Sequence, residues 1–402
     1  MKWLPKLRFS MRTLFILVTL LCVLLGPLSV KLYQARQQRL AVQWVLANGG
    51  YVYYDYQKHE DGIGVSPGPT PTDNQWLRTL FGNDFIDEAV WVGIRNPSVA
   101  DISPLSDLTQ LENLILEDPN VTDLTPLAKL INLQGLTLDT PKAKDLTPLE
   151  NLVNLEDLEL NGPNVTDLMP LAKLINLRVL TLDTPKVRDL APLENLANLE
   201  ELELDGPNVT DLMPLAKLNN LRRLTLEAPK ANNLAPLVHL EELQIYDPNV
   251  TDLTSFAKLL NLRRLTLEAP KANNLVPLEN LVNLEELQFY GPNVTDLTPL
   301  AKLINLRKLT LVTSKAIDLT PLENLVNLEY LDLNNLNVTD LTSLAKLSNL
   351  RRLVLYNLKA KDIAPLFKLS NLEFLYLEGM QVPKTEIDKL QKALPNCEIH
   401  VL

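Results

Sequence analysis

Residues 124–145, LTPLAKLINLQGLTLDTPKAKD, decide the fold of this chain. Moved on by 22 residues the phrase becomes LTPLENLVNLEDLELNGPNVTD, and it returns at 168, 190, 212, 234, 253, 275, 297, 319 and 341, with a weaker copy at 102 and a terminal one at 363. Apart from the shortened copy from 234, which lacks the seventh position, each of the thirteen copies sets apolar residues at positions 1, 4, 7, 10, 13, 15 and 20; in the copy from 146 these are Leu146, Leu149, Leu152, Leu155, Leu158, Leu160 and Val165. Neither a helical period nor strict alternation fits all seven. A coil fits them if each turn has one short strand (Leu155 to Leu160), a bend and a short return segment. A lone coil leaves its leucines in water, whereas stacked coils cover one another, so the repeat predicts a solenoid.

The spacing from the tenth to the fifteenth position, L-x-x-L-x-L, is the strand core of leucine-rich repeats. On these copies, residues 102–382 resemble the 22-residue, internalin-type class of such repeats found in bacterial surface proteins. The resemblance implies an α/β fold, a right-handed solenoid or horseshoe with a parallel concave sheet. It also implies a non-enzymatic protein-binding scaffold, and it does not name the ligand.

The first 40 residues hold seven Lys and Arg and no Asp or Glu, leaving 31 basic and 49 acidic residues beyond them, a formal charge of −18. Such acidity argues against nucleic-acid binding, which needs cations to neutralise phosphates. Cys22 and Cys397 are too few for a disulfide framework.

Leu14 to Val30 is a 17-residue run without charge, preceded by Lys2, Lys6, Arg8 and Arg12. As a helix it spans roughly 25 Å, a little short of a bilayer core, with Lys31 able to snorkel at its far end. No small-x-small cleavage pattern follows, so the run predicts an uncleaved single-pass anchor rather than a removed signal. The leading basic residues favour a cytoplasmic N-terminus and extracytoplasmic repeats, against which Lys31, Arg36 and Arg39 pull. The expected organisation is a basic tail (1–13), an anchor (14–30), a juxtamembrane helix with an N-terminal cap (31–101), the repeats (102–382) and a C-terminal cap (383–402).

Within the cap, 31–48 predicts a helix stopped by Gly49 and Gly50, Tyr51 to Tyr54 a strand, 59–75 a loop, and 76–94 a short helix and a strand carrying Val90, Val92 and Ile94. Its aromatic residues Tyr51, Tyr53, Tyr54, Tyr56, Trp76 and Trp91 stand where an open solenoid end needs covering, which favours a capping role over the alternative of a sugar-binding patch. At the other end, Ile387, Leu390 and Leu394 predict a helix, and Cys397, Ile399 and Val401 a last strand.

Equal positions of successive copies form columns across the predicted sheet. The eleventh runs from Glu200 and Arg222 to Arg351 and Glu373, the twelfth from Glu201 and Arg223 to Arg352 and Phe374, with alternating signs that place each charge between two opposite ones. Where leucine-rich repeats usually carry a bend asparagine, most copies have proline, from Pro119, Pro141 and Pro163 to Pro229 and Pro292, so an asparagine ladder is not expected at that position. Asn120, Asn164, Asn208, Asn249, Asn293 and Asn337 begin N-V-T triplets that a repeat turn generates by itself.

Two irregularities interrupt the pattern. The copy at 234 has 19 residues, which predicts a notch beside Leu218 and Leu259 lined by Val238 and His239. Towards the end of the array Tyr330, Tyr356, Phe374 and Tyr376 gather with Arg352, while Tyr246 and Tyr290 precede them in the Tyr356 column; this composition suits a protein-binding hot spot.

His59, His239 and His400 fall in a loop, a shortened copy and the last strand, so neither a histidine metal site nor a catalytic triad has its parts. No nucleophile-elbow, dinucleotide or P-loop motif occurs, and the DGIG at 61–64 is a loop signature only. The aspartates that end many copies, such as Asp123, Asp145, Asp167, Asp189 and Asp211, suit turn N-termini better than calcium. The sequence therefore predicts no enzyme and no cofactor, but a membrane-anchored repeat protein with a protein ligand. A surface spacer, or a cytoplasmic adaptor if the topology is inverted, stands as the alternative.

Overall fold

The computed structural model describes residues 11–58, 65, 66, 68, 71, 73–96, 98–118, 120–228 and 233–402. The basic residues Lys2, Lys6 and Arg8, the loop residues His59 and 61–64, and the bend prolines Pro119 and Pro229 lie outside the described residues. The chain divides into two compact units, Met1–Leu155 and Glu156–Leu402.

The first unit opens with α1, Met11–Ala47, one helix of 37 residues with Pro27 inside it. Among the described residues it is the one helix long and apolar enough to cross a membrane, and its apolar part is exposed within the protein. The later part is different: Ala35, Gln38, Ala41, Val42 and Val45 are buried along one stripe. Gln38 fixes that stripe by donating through Nε2 to the Asp87 carbonyl (2.7 Å) and accepting through Oε1 from the Ala89 N–H (3.2 Å). Strand β1 (Tyr51–Tyr54) follows, then α2 (Gln75–Phe81) and β2 (Ala89–Ile94), which pairs antiparallel with β1. Parallel to β2 lie β3 (Asn113–Glu117) and β4 (Gly135–Asp139), the first repeat strands. Tyr51 and Tyr53 meet edge to face and Tyr54 stacks on Tyr56, while Trp76 stands 68% exposed outside that group. Burial pushes the Tyr54 hydroxyl up to about 12.

In the second unit one strand per copy forms a parallel ladder: β5 (Asp157–Asn161), β6 (Val179–Asp183), β7 (Glu201–Asp205), β8 (Arg223–Glu227), β9 (Glu242–Tyr246), β10 (Arg264–Glu268), β11 (Glu286–Tyr290), β12 (Lys308–Val312), β13 (Tyr330–Asn334), β14 (Arg352–Tyr356) and β15 (Phe374–Glu378). Helix α3 (Lys384–Ala393) and β16 (Glu398–Val401) close it.

The return path explains the leucine triplets. Leu171 N–H donates to Leu168 O (2.9 Å), Leu174 to Leu171 (3.0 Å) and Leu177 to Leu174 (3.1 Å), a 3-10 geometry of three residues per turn. L-x-x-L-x-x-L therefore turns every leucine to the same side, and all four are buried. Each contributes roughly 1.5–3 kcal/mol by leaving water. The strand then changes the period to two, so that Leu180 and Leu182 continue the same core.

Two kinds of bend follow the strands. In the proline type, Pro163 sits inside a turn closed by Val165 N–H to Gly162 O (2.9 Å), where a missing donor costs nothing and the fixed φ helps. The last four copies lack that proline: Ser314 stands there in the copy from 297, and in the final three Asn335 (φ 61°), Asn357 (φ 56°) and Gly379 (φ 66°) take the left-handed conformation instead.

The 19-residue copy corrects one expectation. Its return path has Leu237 N–H to Leu234 O (2.9 Å) and Leu240 N–H to Leu237 O (3.3 Å), one bond fewer than its neighbours. Losing three residues removes one whole 3-10 turn and keeps the register. Leu218 and Leu259, the leucines expected to border a notch, remain fully buried.

Candidate interaction face

Strand alternation turns the twelfth, fourteenth and sixteenth positions of each copy outward. In the twelfth column the ion pairs are continuous: Arg223 meets Glu201 (2.6 Å) and Glu242 (3.1 Å), Arg264 meets Glu242 (3.0 Å) and Glu286 (3.8 Å), and Lys308 meets Glu286 (2.8 Å). The eleventh column lies just ahead of the strands and pairs differently. Among the described residues each arginine there holds the next glutamate only, as in Arg222–Glu241 (3.4 Å), Arg263–Glu285 (2.5 Å), Arg307–Glu329 (2.6 Å) and Arg351–Glu373 (2.9 Å). The expectation of two opposite neighbours thus holds as contact only in the twelfth column. Exposed pairs of this kind are each worth a few tenths of a kcal/mol and chiefly fix register.

Beside the eleventh column runs a ladder that the sequence reading missed. The ninth-position asparagines each donate through Nδ2 to a carbonyl of the preceding copy: Asn261 to Val238 (2.9 Å), Asn283 to Leu260 (2.8 Å), Asn305 to Val282 (2.8 Å), Asn327 to Ile304 (2.9 Å). Its signal in the sequence is the N-L that precedes almost every strand, as in Asn261-Leu262 and Asn305-Leu306. His239 replaces the asparagine in the short copy; hydrogen-bonded to the Leu218 backbone, it leaves Nε2 without a protein partner, and its burial holds its pKa below the usual imidazole value. Ladder and eleventh column together line a polar groove of about 910 Å³ running from His239 to Glu373. Its charges are already paired.

The aromatic residues divide into two groups. On β13 to β15, Tyr330, Arg352 and Phe374 are direct register partners, with the Arg352 guanidinium 4.0 Å from the Phe374 ring centre. Tyr356 and Tyr376 are half-buried on the same outward face; Tyr376 donates to Glu378, and the Glu378 carboxylate raises both hydroxyls above their usual range. Tyr246 and Tyr290 do share the Tyr356 column, but they flank Glu268 on β9 and β11 and bond back to Gln244 (3.0 Å) and Gln288 (3.2 Å).

Among the described residues no group of three or more His, Cys, Asp or Glu could hold a metal ion. The copy-ending aspartates accept N–H groups at the start of the 3-10 turns: Asp123 from Thr125 (2.9 Å), Asp296 from Thr298 (2.8 Å), Asp340 from Thr342 (2.8 Å). Each threonine is thus the first residue of its turn, and the capping group is the aspartate two residues before it. The N-V-T asparagines are engaged as well, Asn208 with the Pro185 carbonyl (2.6 Å) and Asn293 with that of Pro270 (2.6 Å). His400 pairs with Glu398 (2.7 Å), and burial pushes the Cys397 thiol up to about 11, the state of an inert core group.

The sequence matches no protein-family model and no curated protein. Among solved structures it is similar to an internalin from Listeria monocytogenes, at 28% identity over 74% of this chain and 84% of that one with a TM-score of 0.54. It is similar in fold to a leucine-rich-repeat protein from Leptospira interrogans (20%, 74% and 91%, TM-score 0.51) and to a chain of the Drosophila Toll–Spätzle complex (16%, 77% and 46%, TM-score 0.59). Repeat length, strand ladder and these likenesses agree: the chain has the internalin-type leucine-rich-repeat fold.

Proposed function

We propose that this protein is a non-catalytic scaffold that binds another protein through the aromatic end of its exposed sheet face and is held at a membrane by α1. Tyr330, Arg352, Tyr356, Phe374 and Tyr376 form the centre of the contact, and Tyr246 and Tyr290 extend it. The observation that carries this reading is the change along the twelfth column, where a self-paired ladder ends at Lys308 and gives way to Tyr330, Arg352 and Phe374. Outward aromatic rings beside an arginine are the groups that carry binding energy at interfaces. Residues 14–30 serve as the anchor, 31–101 and 383–402 as caps, with the repeats on the extracytoplasmic side.

Crosslinking pull-down from native membranes with Tyr356→Ala and Tyr376→Ala tests it. Capture of the partner falls if the reading holds; unchanged capture by the folded variants removes it and favours a spacer, which the self-paired ladders would also suit. Protease cleavage of the repeats in intact cells distinguishes the extracytoplasmic placement from a cytoplasmic adaptor.

A further inference from the structure

The sixteenth column of the sheet face is charged differently from its neighbours. Asp183 lies in register with Asp205, and Asp205 with Glu227; Glu268 follows between Tyr246 and Tyr290. Strands are about 4.8 Å apart, so like charges stand side by side, an arrangement that destabilises a sheet. Among the described residues, none of these four carboxylates has a basic partner. Burial, and then the charge of Asp183, raises the Asp205 carboxyl, and burial, then Asp205 and its acidic neighbours, raises Glu227. From β7 to β10 the twelfth column alternates Glu and Arg and neutralises itself. The repeat unit therefore contains the means of cancelling charge and does not use it here.

Asp332 at the aromatic end repeats the pattern. Tyr330 donates to its Oδ2 at 3.5 Å, and Oδ1 has no protein donor. The two cations on diagonal positions of the neighbouring strands are turned away, Lys308 to Glu286 and Arg352 to Phe374. Arg352 on Phe374 also shows that this face accommodates a guanidinium against a ring.

We infer that the face takes a lysine- and arginine-bearing segment of its protein partner, laid across the strands along Asp183, Asp205, Glu227, Tyr246, Glu268 and Tyr290. This rests on the reading of the face as a protein-binding surface and adds the chemistry of what it binds. Incoming ammonium and guanidinium groups offset the repulsion within the column, and Tyr246 and Tyr290, on either side of Glu268, supply flat apolar area. The fourteenth column, Thr181, Glu203, Thr225, Gln244 and Thr266, borders the track and carries no cation, and the self-paired twelfth column beyond it favours neither sign, so specificity lies in the sixteenth.

The test uses the full chain in lipid nanodiscs, with a random dodecapeptide display library as the probe. The inference expects selected binders rich in Lys and Arg, weakened about tenfold or more by the triple change Asp183→Asn, Asp205→Asn, Glu227→Gln. Glu194→Gln, Glu279→Gln and Glu323→Gln, an equal charge change on the return segments, leave them unaffected. Equal loss from both triples, binders poor in Lys and Arg, or no binder at all overturns the inference. Binders that need Tyr356 and Tyr376 but not the carboxylates overturn it and leave the interface standing; binders indifferent to both sets overturn the interface as well. Neutralising the column relieves repulsion, so the triple variant is expected to fold, and a urea midpoint at or above that of the unsubstituted protein verifies this.

Discussion

The side-chain amide of Asn261 donates to the carbonyl of Val238 at 2.9 Å, bridging from a full copy to the 19-residue one. The ladder thus crosses the deletion unbroken at that step. Replacing Asn305, in the regular part of the ladder, by alanine leaves the Val282 carbonyl without its donor and costs about 1 kcal/mol. Urea unfolding followed by circular dichroism measures it.

Because the deleted segment of the short copy equals one 3-10 turn, the same excision elsewhere is tolerated. Removing 301–303 loses one buried leucine, roughly 1.5–3 kcal/mol, and keeps a cooperative transition. Removing only 302–303 breaks the three-residue period and costs more. The two midpoints, compared in one urea series, decide this.

His239 is the exception within the ladder, and it makes stability sensitive to pH. Burial favours its neutral form in the folded state, so the unfolded chain gains a proton first as pH falls below about 6.5, and stability drops there. His239→Asn abolishes that slope and restores the donor of the other copies. Thermal unfolding between about pH 5 and 7 reads the difference.

Acid affects two sets of carboxylates in opposite directions. Bonds from threonine hydroxyls and N–H groups hold Asp296, Asp318 and Asp340 below the usual range, so their stabilisation is complete above about pH 4 and is lost as pH falls through their lowered values. Asp205 and Glu227 are raised, and protonating them stabilises the fold as pH falls. Asp296→Asn with Asp318→Asn therefore flattens the acid limb of a stability–pH curve without unfolding the protein, since Asn274 already caps the turn at Val276 (2.9 Å). Asp205→Asn with Glu227→Gln raises the midpoint near neutral pH.

The sequence disclosed the solenoid because one coil buries leucines such as Leu171 and Leu180 only against the next, and periodicity records that need directly. It disclosed the columns too, since a fixed repeat length makes register arithmetic. Which partner a long side chain chooses was not legible: nothing in the alternation of Glu and Arg distinguishes the paired eleventh column from the continuous twelfth, or turns Arg352 to Phe374. The buried flanks of the short copy were missed because a three-residue loss looks like a gap until the return path is known to be 3-10.

A photo-crosslinking amino acid placed at position 356, and in a second chain at position 317 on an exposed Ile317 away from the strands, tests the interface directly in native membranes. A protein contact at the aromatic end gives a discrete protein adduct from position 356 and none from 317. Equal labelling from both, or none from 356, contradicts it.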